Sequence, residues 1–216
     1  MTRAPRSGPP ADGAPPGRGR KESFAERQER RAAIDDPAVV LEAAARFLEA
    51  RSRSVAEVRR RLGRAGYRPE LVEGAIARLT ELGMLDDAAF GRTWVESRDR
   101  ARPRGEIALR RELALKGVDR GIVDELLDAR REGIAAGEGG VGADLAAARK
   151  LLARNERALA RVADPRQRRQ RAYALLARNG FDPETCRDAA TELMAAGPAI
   201  DDDDAAATSD GADGDA

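Results

Sequence analysis

Apolar residues recur along this chain at a fixed phase around three glycines. Leu62-x3-Gly66-Tyr67 is followed by Val72, Ile76 and Leu79, at six, ten and thirteen residues past the glycine. Leu113-x3-Gly117-Val118 is followed in the same phase by Val123 and Leu127, although Arg130 takes the thirteenth place. Leu176-x3-Gly180-Phe181 is followed by Cys186, Ala190 and Leu193, and eight residues before the glycines stand Val58, Leu109 and Ala172. Such a period is the mark of a repeat architecture, and within it the spacing is that of amphipathic helices. Each unit reads as helix, glycine stop, helix, because a helix C-terminus favours a left-handed residue followed by an apolar one.

The helix starts are marked too. Ser54-Val55-Ala56-Glu57 has the form of a capping box, Asp164-Pro165 and Asp182-Pro183 place an N-cap before proline, and Asp119 can cap the helix that follows Gly117. One further amphipathic helix precedes each pair, over 39–50, 87–98 and 144–157. The pattern predicts an all-α fold: an elongated array of three tandem three-helix repeats with disordered termini. The expected segments are a mostly disordered, basic, Pro/Gly-rich extension over 1–37, repeats over 38–84 and 85–131, a flexible Gly-rich loop over 132–143, a third repeat over 144–195, and a disordered acidic tail over 196–216.

Composition narrows the chemistry. With 216 residues, 36% of them charged and 3% aromatic, a thick apolar core or a β-sandwich is excluded. The chain has no histidine and a single cysteine, Cys186, so it can build neither a Cys/His zinc site, nor a Ser-His-Asp triad, nor an internal disulfide. Cys186 stands where the other repeats have Val72 and Val123, which makes it a small buried hydrophobe. No signal peptide or membrane span is visible, so a cytoplasmic location is expected. The net charge of +1 conceals segregation: residues 46–116 carry 17 bases and 11 acids, 149–178 carry 10 and 2, and 201–216 carry 7 acids and no base. A polyanion senses the local field, not the sum.

Four arginines, Arg98, Arg100, Arg102 and Arg104, approach a Pro-Gly turn and are the sharpest candidates for contact with a polyanion or an acidic protein surface. Arg59, Arg60 and Arg64 form a second basic face beside Arg61, and Arg166, Arg168, Arg169 and Arg171 form a third. Scarcity of aromatics among them argues against single-strand binding by base stacking. Asp86-Asp87 could in principle hold magnesium, but a junction role fits better, with Asp87 capping the next helix. Trp94 sits at core spacing with Phe90. No residue is assigned a catalytic, metal or cofactor role.

Ala45-Arg46-Phe47-Leu48, Arg51-x-Arg53-Ser54-x-x-Glu57-Val58, Gly66-Tyr67, Leu82-Gly83-Met84-Leu85-Asp86-Asp87-x-x-Phe90-x-x-x-Trp94-Val95-x-x-Arg98, Pro103-Arg104-Gly105 and Lys116-Gly117-Val118 together resemble the RecX family of recombinase regulators. The resemblance covers about 38–195, strongly in the first two repeats and weakly in the third. It implies a bacterial protein that binds the RecA–DNA filament and restrains polymerisation, ATPase and strand exchange. A monomer without cofactor is expected, with weak direct DNA binding as a secondary mode. The residues by themselves leave two other readings open, a helical protein that competes directly for DNA and a non-catalytic helical adaptor.

Overall fold

The three glycines end helices as the pattern requires. In the computed structural model, which describes residues 22–137 and 142–195, Gly66, Gly117 and Gly180 have φ of 99°, 79° and 80°. In each case the glycine amide donates to the third carbonyl before it, and the next residue (Tyr67, Val118, Phe181) donates to the carbonyl of the leucine at glycine minus four. This is the Schellman arrangement, repeated in all three units.

Repeat one contains α2 (Pro37–Glu49), α3 (Val55–Ala65) and α4 (Pro69–Glu81). Repeat two contains α5 (Asp87–Ala101), α6 (Glu106–Lys116) and α7 (Arg120–Gly137). Repeat three contains α8 (Ala143–Arg154), α9 (Glu156–Ala160), α10 (Pro165–Arg178) and α11 (Pro183–Ala195), and α1 (Phe24–Ala32) precedes them all. No strand occurs among the described residues. Each repeat closes its own core: Val58, Leu62, Val72, Ile76 and Leu79 in the first, Leu109, Leu113, Val123 and Leu127 in the second, Ala172, Leu176, Cys186 and Ala190 in the third. The phase read from the sequence is thus the buried phase, and each leucine so placed contributes about 1.5–3 kcal/mol of burial.

Four expectations need correction. First, α1 lies inside the 1–37 extension. Ser23 and Glu26 make a reciprocal capping box, which starts a helix in a segment with no buried residue. Second, α7 runs through 132–137, inside the segment that the glycines mark as a loop; a glycine costs a helix only about 1 kcal/mol and, unlike proline, does not break it. Third, the helix expected over 144–157 stops at Arg154; Asn155 turns its side-chain amide back onto the Leu151 carbonyl at 2.8 Å, and the short α9 follows. Fourth, Asp86, not Asp87, is the N-cap of α5, accepting from the amides of Ala88 and Ala89. The expectations for 1–21, 138–141 and 196–216 lie outside the described residues.

The repeats meet through the ends of their middle helices. The Ser54 hydroxyl at the head of α3 donates to the Lys116 carbonyl at the end of α6, at 2.6 Å, and the Gly105 amide at the head of α6 donates to the Asn179 carbonyl at the end of α10, at 3.1 Å. The positive end of one helix dipole therefore faces the negative end of the next. The end of α3 is served in the same way by α1, whose Gln28 and Arg31 side chains donate to the carbonyls of Arg64 and Ala65. These joints are close. A Cβ on Gly117 would stand 2.3 Å from Cβ of Ala56, and one on Gly180 would stand 2.5 Å from the Ala108 nitrogen.

A carboxylate locks each joint from the following repeat. Asp87, the first residue of α5, accepts from the Val55 amide of α3 at 2.9 Å, and Asp144 of α8 accepts from the Glu106 amide of α6 at 2.9 Å. Each bonds the first amide of the middle helix in the preceding repeat, and burial pushes both carboxyls above their ordinary range.

Candidate functional site

With α3 and α6 held at both ends and α10 at its C-terminal end, the charged side chains of the middle helices divide into those that pair inside the chain and those left to solvent. In the run from Arg98 to Arg104 the structure separates neighbours. Arg98 donates to Glu112 at 2.6 Å and lies over the Trp94 ring at 4.5 Å, while the Trp94 indole also donates to Glu112, at 2.9 Å. Arg104 reaches across to the Asn179 side chain of repeat three, with Glu112 3.7 Å from its Nε. Arg100 and Arg102 are exposed and have no acidic partner among the described residues. Trp94 is accordingly more than a core residue: it is the platform on which Arg98 and, at 4.8 Å, Lys116 rest.

The face of α3 divides similarly. Arg59 makes a bidentate pair with Glu73 at 2.5 and 2.7 Å. Arg60, Arg61 and Arg64 are exposed and carry no ion pair among the described residues. They line an open cleft of 310 Å³ together with Phe47 and Glu57, and the Phe47 ring also carries Arg53 at 4.3 Å. On α10, Arg168 turns back to donate to the Val162 carbonyl at 3.0 Å, whereas Arg166, Arg169 and Arg171 are exposed and without an acidic partner among the described residues. Nearly every unpaired guanidinium lies on a surface where a phosphate or carboxylate of another molecule could pair with it without first breaking an internal bond.

Several residues that shape these faces were not singled out by sequence. Arg130, at the repeat position that is apolar elsewhere, has a side chain only 5% exposed, held by Asp99 at 2.9 Å and Asp144 at 2.6 Å. Lys150 and Arg154 of α8 donate to the carbonyls of Asp99, Arg100 and Ala101, so the end of α5 that presents Arg100 and Arg102 is clamped by repeat three. The break of phase at Arg130 was the available signal, since a charge in a core position demands partners. Asp86 and Asp87 are both consumed by helix amides, and no group of three or more potential metal ligands occurs among the described residues. No described helix is long and apolar enough to cross a membrane.

Comparison with known proteins agrees with this architecture. The model for the first three-helix domain of RecX matches residues 41–79, and that for its second three-helix domain matches residues 86–127. The regulatory protein RecX of Prosthecochloris aestuarii is 34% identical over 148 residues, which cover 68% of this chain and 89% of that one. The regulatory protein RecX of Mycolicibacterium vanbaalenii is 33% identical over 156 residues, covering 69% and 79% respectively. The crystal structure of RecX from Lactobacillus salivarius superposes with a TM-score of 0.58 at 20% identity, over 74% of this chain and 97% of that chain, and so shares the fold. With relatives above 30% identity matched over most of their length, and with the repeats falling where the two domain models place them, the chain belongs to the RecX family.

Proposed function

We propose that this protein binds the RecA–DNA filament and restrains recombinase polymerisation, ATPase and strand exchange, acting in the cytoplasm as a monomer with no catalytic centre of its own. The observation that supports this most directly is the distribution of unpaired guanidiniums in a RecX-family chain: Arg60, Arg61 and Arg64 in repeat one, Arg100 and Arg102 in repeat two, Arg166, Arg169 and Arg171 in repeat three. A helical filament repeats its anionic surface along an axis, and a protein with one basic face per repeat can engage it at several points. Linked weak contacts then yield avidity that no single repeat has. Groove binding across successive recombinase subunits uses this layout better than capping of a filament end, which engages one terminal subunit.

The test is recombinase ATPase on single-stranded DNA with increasing amounts of this protein. Inhibition below one molecule per recombinase monomer, at concentrations where bare DNA is largely unbound, is the expected result. Direct competition for DNA predicts instead that potency follows DNA concentration with a steep salt slope, because a competitor must cover lattice.

A further inference from the structure

α6 differs from its two counterparts on the face it shows to solvent. Ile107 is 58% exposed and Leu115 is 71% exposed, and Arg111, midway between them, is also exposed. At a helical rise of 1.5 Å per residue the two apolar side chains stand about 12 Å apart on one side of the helix. Aligning the glycines puts Ala56, Arg60 and Arg64 at these places in repeat one and Gln170, Ala174 and Arg178 in repeat three. Only the middle repeat carries large aliphatic groups there. Single exposed apolar residues are ordinary on a protein surface, but here two large ones share one face of a short helix, where repeat one has Ala56 and Arg64 and repeat three has Gln170 and Arg178.

The charges around this strip are one-sided. Every other charged residue of α6 is committed inside the chain: Glu106 to Arg110 and Arg131, Arg110 also to Asp124, Glu112 to Arg98, and Lys116 to Glu57. Arg111 alone on this helix has no acidic partner among the described residues. Across the joint, the Arg60 guanidinium would come within 3.7 Å of a Cβ on Gly117, so it overhangs the end of α6 two residues beyond Leu115. The strip is therefore apolar at Ile107 and Leu115, with the unpaired cation Arg111 between them and Arg60 at the joint that ends the helix.

We infer that the Ile107–Arg111–Leu115 strip of α6 is a docking surface for an apolar protein surface rimmed by carboxylates, so that the middle repeat grips the protein component of the nucleoprotein filament. The inference rests on the filament-binding reading above and assigns its protein contact. Nucleic acid is a poor match, since aliphatic side chains offer no stacking face to bases and no donor to phosphate. A carboxylate-rimmed apolar patch matches both parts of the strip: the aliphatic groups become anchors once desolvated, and the arginines pair at the rim.

The test compares the full-length parent with Ile107→Ser/Leu115→Ser and with Arg111→Glu, measuring affinity for RecA filaments preassembled on single-stranded DNA and for the same DNA bare. Melting temperatures of both variants should match the parent, because the substituted side chains are solvent-facing. Filament affinity should fall about tenfold or more in the double variant, and in Arg111→Glu with a loss that shrinks as salt rises, while bare-DNA affinity of the double variant stays within twofold. Equal filament affinities for parent and double variant overturn the inference and leave the filament reading standing. A parent that binds no filament overturns the filament reading itself, and this assignment with it. A parent that sediments as a dimer, dissociated by Ile107→Ser/Leu115→Ser, shows the strip to be a contact between copies and also overturns the inference.

Discussion

The Arg130 guanidinium lies 2.6 Å from the Asp144 carboxylate, across the joint between repeats two and three. Its other edge is gripped by Asp99 at two points of 2.9 Å, so one side chain from α7 ties together α5 and α8. Burial works against the charge on Arg130, but the two carboxylates outweigh it and hold the group above its ordinary value. Arg130→Met should cost about 3–5 kcal/mol, because it strands two carboxylates instead of removing a self-contained pair. Burial already raises the Asp144 carboxyl, so its folded pKa exceeds the unfolded one and its contribution improves as pH falls. Without Arg130 that shift grows. Urea denaturation should show the deficit of Arg130→Met shrinking from pH 7 toward pH 5, and a loss under 1 kcal/mol at pH 7 would refute the latch.

Glycines at positive φ separate backbone strain from crowding in this fold. Gly83 has φ of 67° with open space around it, whereas Gly180 has φ of 80° and the Ala108 backbone pressed against it. Gly83→Ala should cost about 1–2 kcal/mol, the cost of a left-handed non-glycine residue. Gly180→Ala adds a collision with main-chain atoms that cannot rotate away, so its loss should exceed that of Gly83→Ala by at least about 1 kcal/mol. Equal melting temperatures for the two variants would mean that the joint is loose enough to part.

What the sequence disclosed and what it withheld divide along contact distance. The Schellman stops at Gly66, Gly117 and Gly180 and the cores around them depend on residues within one or two helical turns, so their spacing is legible. The joint carboxylates are not, because Asp87 serves an amide 32 residues before it and Asp144 one 38 residues before it. The arginine run from Arg98 to Arg104 was equally undetermined: Glu112, 14 residues past Arg98, draws that side chain inward, while Arg100 on another side of the same helix stays in water. α1 is legible in the same local way, since Ser23-x-x-Glu26 carries the same start signal as Ser54-x-x-Glu57.

The first joint has its own pH signature. Burial tends to raise the Glu57 carboxyl, but the Lys116 ammonium at 2.8 Å, the Ser54 amide and Arg51 more than offset it and hold the group below its ordinary value of 4.5. A carboxyl lowered on folding contributes stability that is present above its unfolded pKa and lost as pH falls through the folded one. Glu57→Gln should therefore be less stable than the parent at pH 7 and converge with it below about pH 4. Parallel stability curves from pH 7 to pH 3 would remove Glu57 from the joint's energetics.

Replacing arginines in pairs should separate folding from binding within a single run of sequence. Arg98 is 23% exposed, bonded to Glu112 and stacked on Trp94, and Arg98→Ala should destabilise repeat two by about 1–2 kcal/mol through lost packing and a charge-assisted bond. Arg100 and Arg102 touch no carboxylate among the described residues, so Arg100→Ala/Arg102→Ala should change stability by no more than about 0.5 kcal/mol. The order reverses for the nucleoprotein. Removing two free cations should weaken filament binding several-fold at low salt and flatten its salt dependence, because fewer counterions are then displaced. Urea melts paired with filament titrations at two salt concentrations read both effects on the same samples. If Arg100→Ala/Arg102→Ala instead loses stability while binding as the parent does, this end of α5 serves the fold, and the basic contact belongs to the Arg60–Arg64 or Arg166–Arg171 faces.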